Sequence, residues 1–263
     1  MLNIVKNTTF PSLLDLLAPH SCRGCGRTGH ALCNRCKNDI ILSHVNHCPN
    51  CKASSPTGQC QKCKSLPPIF TVGDRTNLIN TLIHDFKYNS THTLAKPLAD
   101  ILHNILPTFE GPTVIVPLPT INRHIRERGL DHTYLIAKHL AKLRHYQVQK
   151  LLIRYHDTVQ VGADRKTRLT QAKSAYILNP KPTIDLDATY ILLDDVWTTG
   201  ASIKAAIKIL QKAGIQKIVV AILAVSRLDQ KWSFSTGVRV ISTTRRQRRN
   251  HKVHNRKRQK SNY

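Results

Sequence analysis

Beyond residue 68 the chain alternates short apolar runs with segments in which apolar residues recur every three or four positions. Ile69 to Val72 reads as a strand, after which Leu78, Leu82 and Phe86 line one face of a helix. A second helix carries Leu94, Leu98, Ile101 and Ile105, and the strand Thr113 to Val116 follows. Ile136, Leu140 and Leu143 fall in line on another helix. The runs Val148 to Ile153 and Tyr190 to Leu193, a helix from about Ser202 and the run Ile218 to Val225 complete the series. Strands that are apolar at every position need cover on both faces. The pattern therefore predicts an α/β domain built on a mostly parallel sheet flanked by helices. Gly214 stands just past the last periodic residue of its helix, where a left-handed cap belongs.

Before residue 68 the periodicity is replaced by cysteine spacing. All eight cysteines form four Cys-x-x-Cys knuckles: Cys22 and Cys25, Cys33 and Cys36, Cys48 and Cys51, Cys60 and Cys63. Two thiolates so spaced occupy two corners of a tetrahedron, so four knuckles imply two four-sulfur sites. Soft thiolates favour zinc, and a closed sulfur shell leaves no open position for water, so the sites are read as structural rather than catalytic. Iron–sulfur clusters or redox pairs are the competing readings. Sequential pairing needs only short loops and is preferred to a cross-braced arrangement. His30, His44 and His47 lie nearby as surface residues, since the cysteines already suffice. A module of about 45 residues buries little core, so its metals must supply much of its folding energy. Ser65-Leu66-Pro67-Pro68 then forms a stiff, non-helical connector.

Composition adds partners and exclusions. Forty Lys and Arg against 15 acids give a formal charge of +25, which attracts polyanions such as nucleic acids or phosphorylated metabolites. Nine Lys or Arg residues lie between Arg245 and Lys260, with no acid after Asp229, so this tail is expected to be disordered. With no aromatic residue in it before Tyr263, any nucleic-acid contacts it made would go to phosphates and lack sequence preference. The longest apolar run, Ile218 to Val225, is far short of the roughly 20 residues of a membrane helix. The leucines at 13–17 are interrupted by Asp15 and followed by Pro19, too short and polar for a signal-peptide core. A cytoplasmic protein without a membrane partner is expected. There disulfides do not persist, which again favours metal ligation for the cysteines.

The sharpest chemical signal is Tyr190-Ile-Leu-Leu-Asp194-Asp195-Val196-Trp197-Thr198-Thr199-Gly200-Ala201-Ser202. An apolar strand runs into two carboxylates, a hydroxyl-rich turn and a helix. Threonine and serine hydroxyls with the N–H groups of a helix N-terminus can cradle a phosphate. Carboxylates accept hydrogen bonds from vicinal hydroxyls of a ribose. One loop could thus grip a ribose 5-phosphate, and the segment resembles the phosphoribosyl pyrophosphate loop of type I phosphoribosyltransferases.

Further segments resemble the ComF family. They begin with Pro11-Ser-Leu-Leu-Asp-Leu-Leu-Ala-Pro19 ahead of the first knuckle and continue with Leu82-Ile-His-Asp-Phe86-Lys87-Tyr88. Val116-Pro-Leu-Pro119, Arg126-Glu-Arg128-Gly-Leu-Asp131-His132 and Leu152-Ile-Arg154 follow, with Gln160, Arg165 and Arg168. The family's commoner Gly-Phe-Asn-Gln is here Gly-Leu-Asp-His, and the basic tail has no counterpart in the core pattern.

The resemblance implies an N-terminal helix over residues 1–20, a double zinc ribbon over 21–66, a phosphoribosyltransferase-like domain over 67–230 and a basic tail over 231–263. It implies that Asp194 and Asp195 hold the ribose hydroxyls. Val196, Thr198, Thr199, Gly200, Ala201 and Ser202 would surround the 5-phosphate. Lys87, Arg126, Arg128, Arg165 and Arg168 would approach the pyrophosphate and its magnesium ion. It also implies a role in natural transformation, with single-stranded DNA or other nucleic acid and DNA-uptake proteins as partners. A non-catalytic nucleic-acid adaptor with a residual pocket, or a nucleobase salvage enzyme, are the other expectations.

Overall fold

The computed structural model describes residues 20–73, 77–89, 91–121, 125–127, 129–154 and 176–226. The expected N-terminal helix, Arg128, Arg165, Arg168 and the basic tail lie outside them. The described residues belong to one compact unit that takes in the cysteine block and the sheet together.

Seven described strands are β1 (Ile69–Thr71), β2 (Thr113–Pro117), β3 (Gln147–Val148), β4 (Leu152–Arg154), β5 (Tyr176–Leu178), β6 (Thr189–Trp197) and β7 (Ile218–Val225). The helices are α1 (Asn34–Leu42), α2 (Asn77–Tyr88), α3 (Ala95–Ile105), α4 (His132–Arg144) and α5 (Ala201–Lys212). Five strands form a parallel sheet in the order β1-β7-β6-β2-β3, the strand order of phosphoribosyltransferase-like folds.

Strand alternation divides the core into two layers. Ile115, Ile191, Leu193, Val219, Ala221 and Leu223 face α2, α3 and α4, whose Leu82, Phe86, Leu98, Leu102, Ile136 and Leu140 pack there. Val114, Val116, Tyr190, Leu192, Ile218, Val220 and Ile222 face the other way, toward Ile203, Ala206 and Leu210 of α5. Residues of both parities are buried, which is why these strands read as unbroken apolar runs. Gly214 adopts φ 90° just after α5, as the cap position requires.

Three details differ from the sequence reading. The run Val148 to Ile153 is two strands. β3 pairs with β2 at Val114 and Ile115, and the chain then leaves the sheet so that β4 pairs antiparallel with β5. Leu143 is 39 % exposed although it follows the helical stripe, because α4 packs through Ile136, Ala137 and Leu140. The strand β6 continues through Asp194 and Asp195 to Trp197, so the carboxylates belong to the sheet rather than to a loop beyond it.

The cysteine block packs directly on β1. Buried Asn46 donates through Nδ2 to the carbonyls of Ser55 and Ile69 and accepts from the Thr71 amide at 3.0 Å. A Cβ on Gly58 would lie 2.7 Å from the Phe70 ring, so glycine is needed where the block meets the strand.

Candidate functional site

In a parallel sheet the crevice forms where consecutive crossovers part to opposite faces, at the carboxyl ends of the strands. Here α4 follows β2 onto one face and α5 follows β6 onto the other, so the parting lies between the adjacent strands β2 and β6. A cavity of about 240 Å³ opens there, lined by Lys87, Leu118, Pro119, Thr120, Ile121, His132, Thr133, Arg154, Tyr176, Asp194, Asp195 and Ser202.

The two acids are neighbours on a strand, so their side chains leave from opposite faces. Asp195 shares the parity of Leu193 and meets α2, where Lys87 Nζ lies 2.6 Å from its Oδ2. Asp194 shares the parity of Leu192 and faces Tyr176 and Arg154 of the β4–β5 ribbon, while its Oδ1 accepts from the Asp195 amide at 2.8 Å. Burial, then the charge of Asp195, pushes the Asp194 carboxyl up to about 8, against the pull of Lys87 and Arg154. Asp194 therefore keeps its proton at neutral pH, beside the Lys87–Asp195 ion pair.

The turn that follows is shaped from below. Gly200 has φ 73°, and a Cβ there would fall 2.1 Å from the ring of Trp197, which is buried in the α5 layer. That ring thus raises the turn and makes glycine obligatory. Thr198, Thr199, Ala201 and Ser202 remain exposed, Val196 is half-buried, and Thr199 Oγ1 accepts from the Ala201 amide at 3.3 Å. The N-terminus of a 12-residue helix and three hydroxyls thus meet at one open corner, suited to an anion.

Sequence reasoning underused three residues here. Arg154 and Tyr176 wall the crevice, with Arg154 Nη1 donating to the Tyr176 hydroxyl at 3.3 Å. Arg154 ends the Leu152-Ile-Arg154 segment and is legible as a cation at a strand end; Tyr176 carries no such signal. His132 lines the crevice and meets Phe86 edge-on at 4.7 Å, whereas its neighbour Asp131 caps α4 by accepting from the Tyr134 amide. Arg126 is exposed in the short segment 125–127 and is not among the residues lining the crevice.

The cysteines gather as Cys22, Cys25, Cys33 and Cys36, and as Cys48, Cys51, Cys60 and Cys63, with all four sulfurs of each set within 4.8 Å of one another. This is the sequential pairing. A Zn–S bond of about 2.3 Å in a tetrahedron separates sulfurs by about 3.8 Å. Cys25 and Cys33 Sγ stand 3.7 Å apart and Cys51 and Cys60 Sγ 3.4 Å apart, so both sets fit a structural zinc ion. Burial and the neighbouring sulfurs push the Cys36 thiol up to about 12. Burial also opposes ionisation of Cys22, but the amides of Cys33, Cys25 and Gly24 bring it down to about 6. Four thiolates so close need a cation among them.

Between the second cysteine set and the sheet lies a larger cavity of about 940 Å³. Its walls include Val45, His47, Pro49, Asn50 and Lys52 of the cysteine block, Trp197, Thr198 and Thr199 of the turn, and Val225 and Ser226 at the end of β7. Among the described residues no carboxylate lines it. Among the described residues no helix is long and apolar enough to cross a membrane.

Fold and site together define a phosphoribosyltransferase-like α/β protein carrying two four-cysteine clusters. No family model matches the chain. It is similar to competence protein F of Haemophilus influenzae, 24% identical over 209 residues that span 76% of this chain and 87% of that one. It is also similar to competence protein ComFC of Bacillus subtilis, 26% identical over 211 residues, 77% of this chain and 76% of that one. With ComFC of Streptococcus pneumoniae it shares 24% identity over 217 residues, 80% of this chain and 90% of that one. The chain is thus a distant homologue, over most of its length, of proteins named competence protein F and ComFC, and it carries two four-cysteine clusters.

Proposed function

We propose that this protein binds phosphoribosyl pyrophosphate with its magnesium ion in the β2–β6 crevice and transfers the pentosyl group to an acceptor. The setting would be natural transformation, with single-stranded DNA as the nucleic acid handled and DNA-uptake proteins as partners. The observation that carries the reading is the corner where Asp194 and Asp195, on opposite faces of one strand, meet the exposed turn from Thr198 to Ser202 at the start of α5.

In this reading Asp194 and Asp195 take the ribose hydroxyls, and Lys87 yields Asp195 to them. Thr198, Thr199 and Ser202 with the first amides of α5 take the 5-phosphate, between Val196, Gly200 and Ala201. Breaking the C1–oxygen bond leaves its electron pair on pyrophosphate and positive charge on the sugar, and the acceptor's lone pair forms the new bond at C1. Lys87 and Arg154 supply positive charge toward the leaving group, joined by Arg126, Arg128, Arg165 and Arg168. The acceptor enters the larger cavity beside Thr198 and Thr199. Its described lining, apolar with Lys52 as a cation, suits a ring with hydrogen-bond acceptors and a phosphate. The names of the similar proteins and the charge of +25 support the nucleic-acid setting.

One observation favours a second reading. The Lys87–Asp195 ion pair already occupies a carboxylate meant for the sugar. A pocket held shut in this way suits a nucleic-acid adaptor that senses the sugar phosphate or has ceased to use it.

Calorimetric titration of the zinc-loaded protein with magnesium phosphoribosyl pyrophosphate decides between them. The expected result is micromolar binding, lost in the Asp194→Ala, Asp195→Ala double variant. A folded wild type that binds nothing would leave the adaptor reading.

A further inference from the structure

The last turn of α2 reads His84-Asp85-Phe86-Lys87-Tyr88, and its residues have separate destinations. Phe86 enters the core and Lys87 reaches Asp195. Asp85 has no place in the chemistry proposed above, yet it is only 8% exposed. A carboxylate near a helix C-terminus is opposed by the helix dipole, and burial adds to that cost, so Asp85 needs a cation. Arg23 supplies it: its Nε donates to Asp85 Oδ2, while the Asp85 Oδ1 accepts from Asn89 Nδ2 at 2.8 Å and lies 3.5 Å from His84 Nδ1. The Asp85 carbonyl also accepts from the Asn89 amide at 3.0 Å, so this residue closes the end of α2. Arg23 directly follows Cys22 within the first knuckle and donates to the Ser21 carbonyl at 3.2 Å.

We propose that Arg23 is a positioning residue: from the first four-cysteine cluster it clamps Asp85 and so fixes the helix turn that presents Lys87 to Asp195. The zinc module on this view does more than brace the domain. It sets the cation that governs the acid pair, two residues along the helix from its own point of attachment. The consequence for ligand binding rests on the sugar-phosphate reading, but the effect on the acid pair does not.

The structure supplies its own control. Lys37 directly follows Cys36 of the same cluster and pairs at 2.8 Å with Asp100 on α3, a helix that lines neither cavity. Loss of either cation loosens the same module, but only Arg23 leads to Lys87.

The experiment compares full-length, zinc-loaded wild type with Arg23→Ala, Lys37→Ala, Asp85→Asn and the Arg23→Ala, Asp85→Asn double variant, zinc content being checked in each. Carboxylate carbon NMR follows proton uptake by the Asp194–Asp195 pair, which is faced by Lys87 from α2, by Arg154 and Tyr176 from the β4–β5 ribbon and, toward Asp195, by Asp131. In Arg23→Ala the midpoint should rise by about half a pH unit, equivalent to about threefold weaker binding of phosphoribosyl pyrophosphate. Lys37→Ala should leave it in place, and the double variant should be no worse than Asp85→Asn alone. An equal shift in Lys37→Ala, or none in Arg23→Ala, overturns the proposal. A midpoint that moves only with Arg23 in a protein that binds no phosphoribosyl pyrophosphate upholds the positioning role while the transferase reading falls.

Discussion

The two four-cysteine clusters are the same local object in two surroundings. In each, the first cysteine's amide donates to the carbonyl five residues on, Arg27 in one and Ala53 in the other. In each, its carbonyl accepts from the amide four residues on, Gly26 or Lys52, and that residue has a left-handed backbone, φ 74° and 63°. The amides of Gly29 and Ser55 return to the carbonyls of His20 and Asn46 at equivalent positions. What differs is the ground beneath. The first cluster reaches α2 and α3 through the Arg23–Asp85 and Lys37–Asp100 ion pairs. The second is bound to β1 through Asn46, and its Asn50 accepts from Lys204 of α5 at 2.7 Å while its knuckle walls the larger cavity. A repeated metal-binding fold thus takes two roles because docking, not ligation, decides what it touches.

Loss of metal should give the largest effect and separate the clusters by consequence. Cys22→Ser and Cys48→Ser should each lower bound zinc from two equivalents toward one, read by metal analysis, and each should depress the melting temperature. Zinc supplies on the order of 10 kcal/mol to such small modules. Only the Cys48 variant should open the larger cavity to an environment-sensitive dye.

Next in size, Asn46→Ala leaves the Thr71 amide and the carbonyls of Ser55 and Ile69 short of partners in a buried place. Urea unfolding should show a loss of roughly 2–4 kcal/mol. No equivalent residue ties the first cluster to a strand through so many buried bonds among the described residues, so substitution of its counterpart His20 should cost far less.

The cost of the acid pair, toward which only the first cluster leads, should appear as a pH effect. Asp194 in the folded protein keeps its proton up to about 8, whereas the unfolded chain releases it near 3.8. Between these values the folded state binds the extra proton, so its stability falls as pH rises through that window. Asp194→Asn should therefore gain on wild type as pH rises from about 4 to 8, measured by thermal melts across the series.

The smallest expected change tests the left-handed position itself. Lys52 bears a side chain where its counterpart is glycine, so Lys52→Gly should stabilise by roughly 0.5–1 kcal/mol, and Gly26→Ala should destabilise by a similar amount. If Lys52 is kept for the cavity it lines, Lys52→Gly should gain stability and lose affinity for an anionic probe.

The cysteine spacing marked the four knuckles and favoured sequential sets because they need only short loops, and the gathering of the sulfurs in the fold settled the sets. The apolar runs determined the sheet and its covering layers, because strands buried on both faces leave no polar alternation. The Asp-Asp part of the signature falls on residues that line the crevice, whereas Thr198 and Thr199 stand in the wall of the larger cavity. Only the tertiary structure decided that Asp194 and Asp195 face opposite layers, since that depends on strand β6 extending past them. It alone gave Lys87 to Asp195 and Arg154 to Asp194, and it alone joined Arg23 to Asp85 across 62 residues of chain. Periodicity and spacing report what each segment must bury or ligate. Which charge stands against which is set by the packing of segments far apart in sequence, and the chemistry of this site depends on those pairings.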